Sequence, residues 1–303
     1  MHRRKDKVHG TGNFPKRTSR AAPYLNTEEV RTSLTFGLPQ DGPASYPSVG
    51  LTGGVTIDNY ETEDQLVTVH DMRPLAGALS LDRQGFELHG HLSKVDDLYD
   101  DAAIFGAYDR EIEDLLIPAT GAGRVVVFDR TRRSDGPDGA ANPDGQRGPA
   151  TRVHVDYTVK SGPQRARDIL GGAEVDRILA TGGSIMQVNV WRPIKGPIQR
   201  SPLALADAAS IEPADLLPTA RVSEDRIGEI YRLAHGSAQK WYWVPEMRRD
   251  EVLLIKGWDS IDDGRARFTP HGAFDLPDQN PDAPARESIE VRAHLIFEGD
   301  HHD

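Results

Sequence analysis

The chain of 303 residues contains no cysteine. Disulfides, thiolate nucleophiles and cysteine-ligated zinc or iron–sulfur centres are therefore excluded, which leaves histidine, aspartate and glutamate as the strong metal ligands. Long apolar runs are missing too: nothing approaches the ~20 consecutive apolar residues of a membrane helix. Positive charge is in deficit, with 36 Lys and Arg against 47 Asp and Glu for a net charge of −11, so a nucleic-acid partner is disfavoured. The opening "MHRRKDKVHGTGNFPKRTSR" reverses that balance locally but has no apolar core of signal-peptide length. These absences predict a cytoplasmic protein with neither a membrane nor a nucleic-acid partner, acting on a small molecule.

What is present suffices for a packed core, since 37% of the chain is hydrophobic. Residues 1–22 read as a basic flexible tail, and residues 23–303 as a single domain that begins with an extension wrapping the surface to about residue 60. Strands are expected over Gln65–Arg73, Phe86–Leu92 and Arg124–Arg133. A helix is expected from near Asp96 to Pro118, and one or two short helices over Pro163–Thr181, interrupted at Gly171 and Gly172. The Gly-, Pro- and Asp-rich stretch Ser134–Thr151 predicts a long flexible loop, a candidate lid. Further strands are expected over Ser184–Ile194, in "LALADAA", and over Asp250–Ser260, Arg265–Phe274 and Ser288–Glu298. "GEIYRLAH" and "QKWYWVPEM" suggest a hairpin turning at "GSA". Strands do not alternate with helices, so the expected class is mainly β with flanking helices, in a jelly-roll arrangement.

In "RVHVDYT" (Arg152–Thr158), His154 and Asp156 lie two apart on an expected strand and so share a face. One further histidine would complete a set of two histidines and a carboxylate, the facial arrangement of non-haem Fe(II) oxygenases. Toward the end of the chain, "FTPHGAFDLPDQNPDAPARESIEVR" supplies His271, then Arg286 and Ser288 at the start of the last strand. A guanidinium grips a carboxylate bidentately, and a hydroxyl adds a hydrogen bond. A metal ligand followed by such a clamp suits 2-oxoglutarate, whose keto-acid end chelates a metal while its far carboxylate is anchored. The polar face continues through Glu290 and Arg292, with Ile289, Val291 and Ala293 opposite and able to pack on outer helices. Arg292 is a rival anchor, unless Glu290 neutralises it.

Asn189 and Trp191 share a face and are candidates for contacting the cofactor and shaping the pocket. Tyr157 and Trp243 are candidates for substrate contact, and Trp241, Tyr242 and Trp243 for a hairpin face. Lys256 is placed to meet an inward carboxylate. Arg130, Arg132 and Arg133 are expected to face solvent. His89 and His91 form a second i, i+2 pair, but no clamp accompanies them.

H-x-D, a distal His and R-x-S together resemble the Fe(II)/2-oxoglutarate-dependent oxygenases. The blocks "LDRQGFEL", "TGAGRVVVFDRTRR", "VHVDYT", "VNVWRPIKGPIQRSPLALADAAS", "WYWVPEMRRDEVLLIKGWDS" and "TPHGAFDLP…PARESIEVR" are similar, over roughly residues 65–298, to the CmcJ/asaB-like (gibberellin-desaturase-like) family. The resemblance implies a double-stranded β-helix core and oxidative tailoring of small natural products with Fe(II), 2-oxoglutarate and O₂. It implies His154, Asp156 and His271 as iron ligands and Arg286, assisted by Ser288, as the 2-oxoglutarate anchor. The retained Asp156 argues for hydroxylation, desaturation or a related oxidation rather than halogenation. Three alternatives keep the barrel but change the chemistry: a cofactor-free oxygenase, a cupin-like isomerase, or a non-catalytic binding module.

Overall fold

The computed structural model describes residues 29–47, 58–222 and 227–299. The basic segment 1–22 and the closing His-His-Asp lie outside the described residues. In chain order the strands are β1 (Glu29–Gly37), β2 (Ala44–Pro47), β3 (Thr62–Asp71), β4 (Phe86–Gly90), β5 (Arg124–Ser134), β6 (Ala140–Asn142), β7 (Gly145–Arg147) and β8 (His154–Val155). They continue with β9 (Ser184–Lys195), β10 (Leu203–Ala206), β11 (Leu216–Val222), β12 (Ile227–Leu233), β13 (Trp241–Trp243), β14 (Glu251–Asp259), β15 (His271–Ala273) and β16 (Glu287–Phe297). The main helices are α1 (Asp109–Thr120), α2 (Ser161–Leu170) and α3 (Gly172–Ala180).

Nine strands form one sheet in the order β1-β3-β13-β10-β15-β8-β12-β11-β2, and five form another in the order β4-β14-β9-β16-β5. This is the mainly-β, jelly-roll architecture the sequence predicts. The five-stranded sheet shows how period-2 sequence becomes two environments. Met186, Val188 and Val190 of β9 and Ile289, Val291, Ala293 and Leu295 of β16 pack on Ile112 and Leu116 of α1. Each such fully buried aliphatic side chain contributes about 1.5–3 kcal/mol. The alternate residues Gln187, Asn189, Ser288 and Glu290 are buried on the opposite face, which points toward the site. An inward polar face backed by an outward apolar one is what the β16 sequence suggested.

Several local expectations change. The segment from residue 29 carries strand β1, paired along its full length with β3, rather than only a surface wrap. Its alternation of Val30, Thr32, Leu34 and Phe36 with polar residues is masked by Pro- and Gly-rich neighbours. The helix starts later than Asp96: Asp100 caps the backbone N–H groups of Ala102 and Ala103, a π-helical turn spans Ile104–Tyr108, and α1 follows. Pro118 lies inside the last turn and the helix runs on to Thr120, ending at Gly121 with φ 77°.

Ser134–Thr151 is not a structureless loop but carries the β6–β7 hairpin. Asn142 pins it to β5, its side chain accepting from Arg132 N at 2.8 Å and donating to Arg132 O at 3.0 Å. The amide thereby completes a backbone-like pair that composition alone does not reveal. β12 and β13 do not pair with each other: β12 lies between β11 and β8, and β13 between β3 and β10. Within Arg265–Phe274 only β15 is strand.

Arg130, Arg132 and Arg133 are not simply solvated. Arg130 pairs with Asp109, Arg132 is buried against Leu98 O and Asp101, and Arg133 donates to Gly148 O at 2.9 Å. Lys256 is fully buried and bonds Asp259 at 2.7 Å and Asp82 at 2.8 Å, so it meets carboxylates as expected.

Candidate metal and co-substrate site

β8 and β15 are short, yet they place the site. His154 and His271 are directly opposed across the antiparallel pair, and their ring centroids are 4.7 Å apart. Asp156 follows β8 immediately, and its Oδ1 is 3.7 Å from His154 Nε2. Donor atoms of His154, Asp156 and His271 all lie within 4.8 Å of one another, and no other group of three metal-ligating side chains among the described residues converges this way.

Both histidines are oriented by the same device. Nδ1 of His154 lies 2.9 Å from Arg152 O, and Nδ1 of His271 lies 3.0 Å from Thr269 O. A carbonyl only accepts, so each Nδ1 carries the hydrogen and each Nε2 keeps a free lone pair for a metal. Burial, with His271 close by, pushes His154 down to about 4, although Asp156 partly opposes this. Its imidazole is therefore neutral, as a ligand must be.

Asp156 is held from three sides. Its Oδ2 accepts from Asn189 Nδ2 at 2.6 Å and from Arg292 Nε at 3.1 Å, and Arg292 Nη2 lies 3.4 Å from Oδ1. Asn189 is fixed in turn by Gln187 Nε2 at 2.6 Å. Burial alone would raise the Asp156 pKa, but Arg292, both histidines and the Asn189 hydrogen bond hold it well below the usual carboxylate range. Arg292 also engages Asp129 and Glu290.

The remaining candidates divide. Arg286 is 2% exposed, and its Nε and Nη2 find no hydrogen-bond partner among the described residues. The Ser288 hydroxyl is likewise buried and unpartnered. Burial and the nearby Arg133 lower Arg286 to about 10. Orphaned buried donors of this kind are rare and costly unless a ligand satisfies them. A carboxylate is the group that fits.

Arg292 is not free to act as a rival anchor, because three carboxylates already occupy its guanidinium. Asn189 bonds Asp156 instead of reaching toward a cofactor. Trp191 is buried among Leu203, Leu205 and Leu253, and its ring lies 5.8 Å from the Arg286 guanidinium carbon. It backs Arg286 and does not line the main cavity. Trp243 packs edge-on against Phe274 in the core, 5.6 Å between centroids, and does not line the cavity. Tyr157 does line it. His89 bonds Glu87, whereas His91 faces Arg192, so that pair does not converge.

The cavity beside His154 and Asp156 measures about 1250 Å³. Pro143, Asp144 and Arg147 of the β6–β7 hairpin stand on one side, with Tyr46 and Tyr60 also at its wall. The three donors that the sequence singled out converge, and Arg286 is buried with unpartnered donors. Sequence reasoning missed Gln187, which holds Asn189 from two residues away on the same strand, and Arg133, which lines the cavity while bonded to Gly148 O.

A jelly-roll core with two histidines and a carboxylate in facial array defines a mononuclear non-haem iron enzyme. Residues 34–297 match the family described as "Oxidoreductase/YMDC permease-like domain". The hydroxylase/desaturase efuI of Hormonema carpetanum is 35% identical over 296 residues, covering 90% of this chain and 97% of the relative. The Fe(II)/2-oxoglutarate-dependent dioxygenase nvfI of Aspergillus novofumigatus is 32% identical over 278 residues, covering 88% and 96%. The solved structure of the iron and alpha-ketoglutarate-dependent endoperoxidase NvfI superposes with a TM-score of 0.78 at 29% identity, covering 90% of this chain and all of that one. The chain belongs to the asaB-like hydroxylase/desaturase family of Fe(II)/2-oxoglutarate-dependent oxygenases.

Proposed function

We propose that this enzyme oxidises an unactivated C–H bond of a small natural product, by hydroxylation, desaturation or a related reaction, using Fe(II), 2-oxoglutarate and O₂. His154, Asp156 and His271 would hold the metal, with both Nε2 lone pairs and the carboxylate free to do so. Arg286 and Ser288 anchor the distal carboxylate of 2-oxoglutarate. The observation that carries the reading is that three converging donors accompany a buried guanidinium and hydroxyl with no partner of their own. Fe(II) held there with 2-oxoglutarate would supply the oxidising power, drawn from O₂, for C–H cleavage.

The chain's own residues prepare that chemistry. Arg152 O and Thr269 O fix the imidazole tautomers. Asn189 and Arg292 aim Asp156 and keep it ionised. Trp191 supports Arg286 from beneath. Tyr157 and the β6–β7 hairpin enclose the substrate cavity and limit water. Because Asp156 is retained, it fills the coordination position that a halide would need. The family match over residues 34–297 supports residues 23–303 as one oxygenase domain, with residues 1–22 a basic tail. The net charge of −11 supports a small-molecule partner rather than nucleic acid, and among the described residues no helix is long and apolar enough to cross a membrane.

Anaerobic titration with Fe(II) and 2-oxoglutarate tests the reading through the weak metal-to-ligand charge-transfer band. Wild type shows the band and His271→Ala does not. A wild type without the band refutes the assignment; metal binding indifferent to 2-oxoglutarate points to a different metal enzyme on the same barrel. Arg286→Ala weakens 2-oxoglutarate binding by about 2–5 kcal/mol, the cost of truncating one partner of a buried charge pair.

A further inference from the structure

The chain is acidic, yet its cavity is not. Nine cationic side chains line it against five carboxylates, in a protein of net charge −11. Doubly charged iron and doubly charged 2-oxoglutarate cancel, so loading the site leaves that excess in place. Most of the cations are engaged. Arg130 pairs with Asp109, Arg147 with Asp144, Arg152 with Asp58, and Arg292 with Asp156. Lys160 lies 3.8 Å from Glu229, Arg133 donates to Gly148 O, and Arg232 donates to Thr219 Oγ1 at 2.7 Å.

The Arg165 and Arg221 side chains make no hydrogen bond or ion pair with another described residue. Arg221 projects from β11 beside Tyr46. Arg165, on α2, lines the same cavity as His154 and Asp156, and its guanidinium carbon is 5.1 Å from the Phe128 ring centroid. Its Nε is buried without a partner. Phe128 thus supports the guanidinium from one side and excludes water from it, leaving its outer edge for the cavity. The mouth is apolar as well as basic, because Phe105 and Ile227 line it while 59% and 75% exposed.

From this arrangement we infer that the substrate is an apolar skeleton bearing a carboxylate, and that Arg165 binds that carboxylate. Of the two unpaired guanidinium groups, that of Arg165 is backed by Phe128, and its one fork matches one carboxylate bidentately. Phe105, Phe128, Tyr157 and Ile227 take up the skeleton. The inference rests on the oxygenase reading only in naming the cavity as the substrate site. Arg165 acts by fixing which carbon of an acidic substrate faces His154 and Asp156, so it sets specificity and takes no part in bond cleavage.

The test uses the full chain, anaerobic, with Fe(II) and saturating 2-oxoglutarate, and two isosteric probes, 1-naphthaleneacetate and 1-naphthaleneacetamide. Calorimetry gives both dissociation constants. The acid is expected to bind at least tenfold more tightly than the amide in wild type. The ratio falls below threefold in Arg165→Gln and Arg165→Met, and recovers in part in Arg165→Lys, with thermal midpoints near wild type in all three. In His271→Ala the preference persists although metal loading fails, which separates this inference from the assignment of the iron site. Equal binding of acid and amide by wild type overturns the inference. So does a preference that survives Arg165→Gln, or acid binding that 2-oxoglutarate competes away, which places the anion at Arg286.

Discussion

Replacing Arg292 with methionine tests how the metal-binding carboxylate is held. One guanidinium serves Asp156, Asp129 and Glu290 at once, with side-chain exposures of 13% for Arg292, 12% for Asp156 and 9% for Glu290. Methionine keeps much of the volume but leaves these carboxylates without their shared cation. Breaking a buried ion pair by removing one partner costs about 3–5 kcal/mol, a large part of the ~5–15 kcal/mol that stabilises a typical domain. At ~2–3 °C per kcal/mol for a chain of this size, the metal-free variant melts about 6–15 °C below wild type. Arg292 also aims Asp156 at the metal, so Mn(II), a redox-stable stand-in for Fe(II), raises the variant's midpoint by less than it raises that of wild type. Differential scanning fluorimetry with and without Mn(II) reads both quantities. A metal-free Arg292→Met within about 2 °C of wild type would refute the claim that Arg292 neutralises a buried acidic cluster.

Gly257 sits at the β-bulge of β14, and a Cβ there would lie 1.9 Å from Gln187 Oε1. Gly257→Ala therefore displaces Gln187, loosens Asn189 and then Asp156, and lowers metal affinity about 10–100-fold, the range for a disturbed outer-shell partner; unchanged affinity by Mn(II) titration refutes the relay. Acid should destabilise the metal-free protein through its buried histidines. His294 is fully buried, stacked 4.6 Å from Phe128, and burial pushes it down to about 4 from 6.5, as it does His154. Between those values the unfolded chain holds more protons, so stability is complete above about pH 6.5 and declines as pH falls toward 4. Each histidine contributes a loss of about 2 kcal/mol by pH 5. Urea melts of His294→Phe at pH 7.5 and pH 5.0 should show the acid loss reduced by that amount, and an unreduced loss contradicts it. Lys256→Met strips the cation from buried Asp259 and costs about 3–5 kcal/mol, measured by the same melts; a loss under 1 kcal/mol refutes it.

The sequence was most legible where several residues together had a single chemical use. His154 with Asp156 is a weak signal by itself, and it gains meaning only when His271, and then Arg286 with Ser288, follow later in the chain. Long periodic strands such as β9 and β16 were legible from the alternation of apolar and polar residues. The β6–β7 hairpin was not, because its order comes from Asn142 bonding the backbone of Arg132, a contact that no local pattern encodes. β12 and β13 looked like one hairpin because they are neighbours in sequence, whereas jelly-roll topology sends them to different partners. Trp243 looked like a pocket residue because aromatics serve both cores and ligands; only its packing on Phe274 decides. The duty of Arg292 was half legible. Glu290 was foreseeable two residues away, but Asp129 and Asp156 arrive from other segments of the chain.

The single residue pair joining β8 to β15 has a mechanical consequence. His154 and His271 face each other across one rung of a very short ladder, and six strands, β9 to β14, lie between them in the chain. A metal gripping both imidazoles is therefore a clasp on a long loop, fastened where the backbone ladder is thinnest. Metal bound there would add resistance to pulling or protease at that rung, and chelation would remove it.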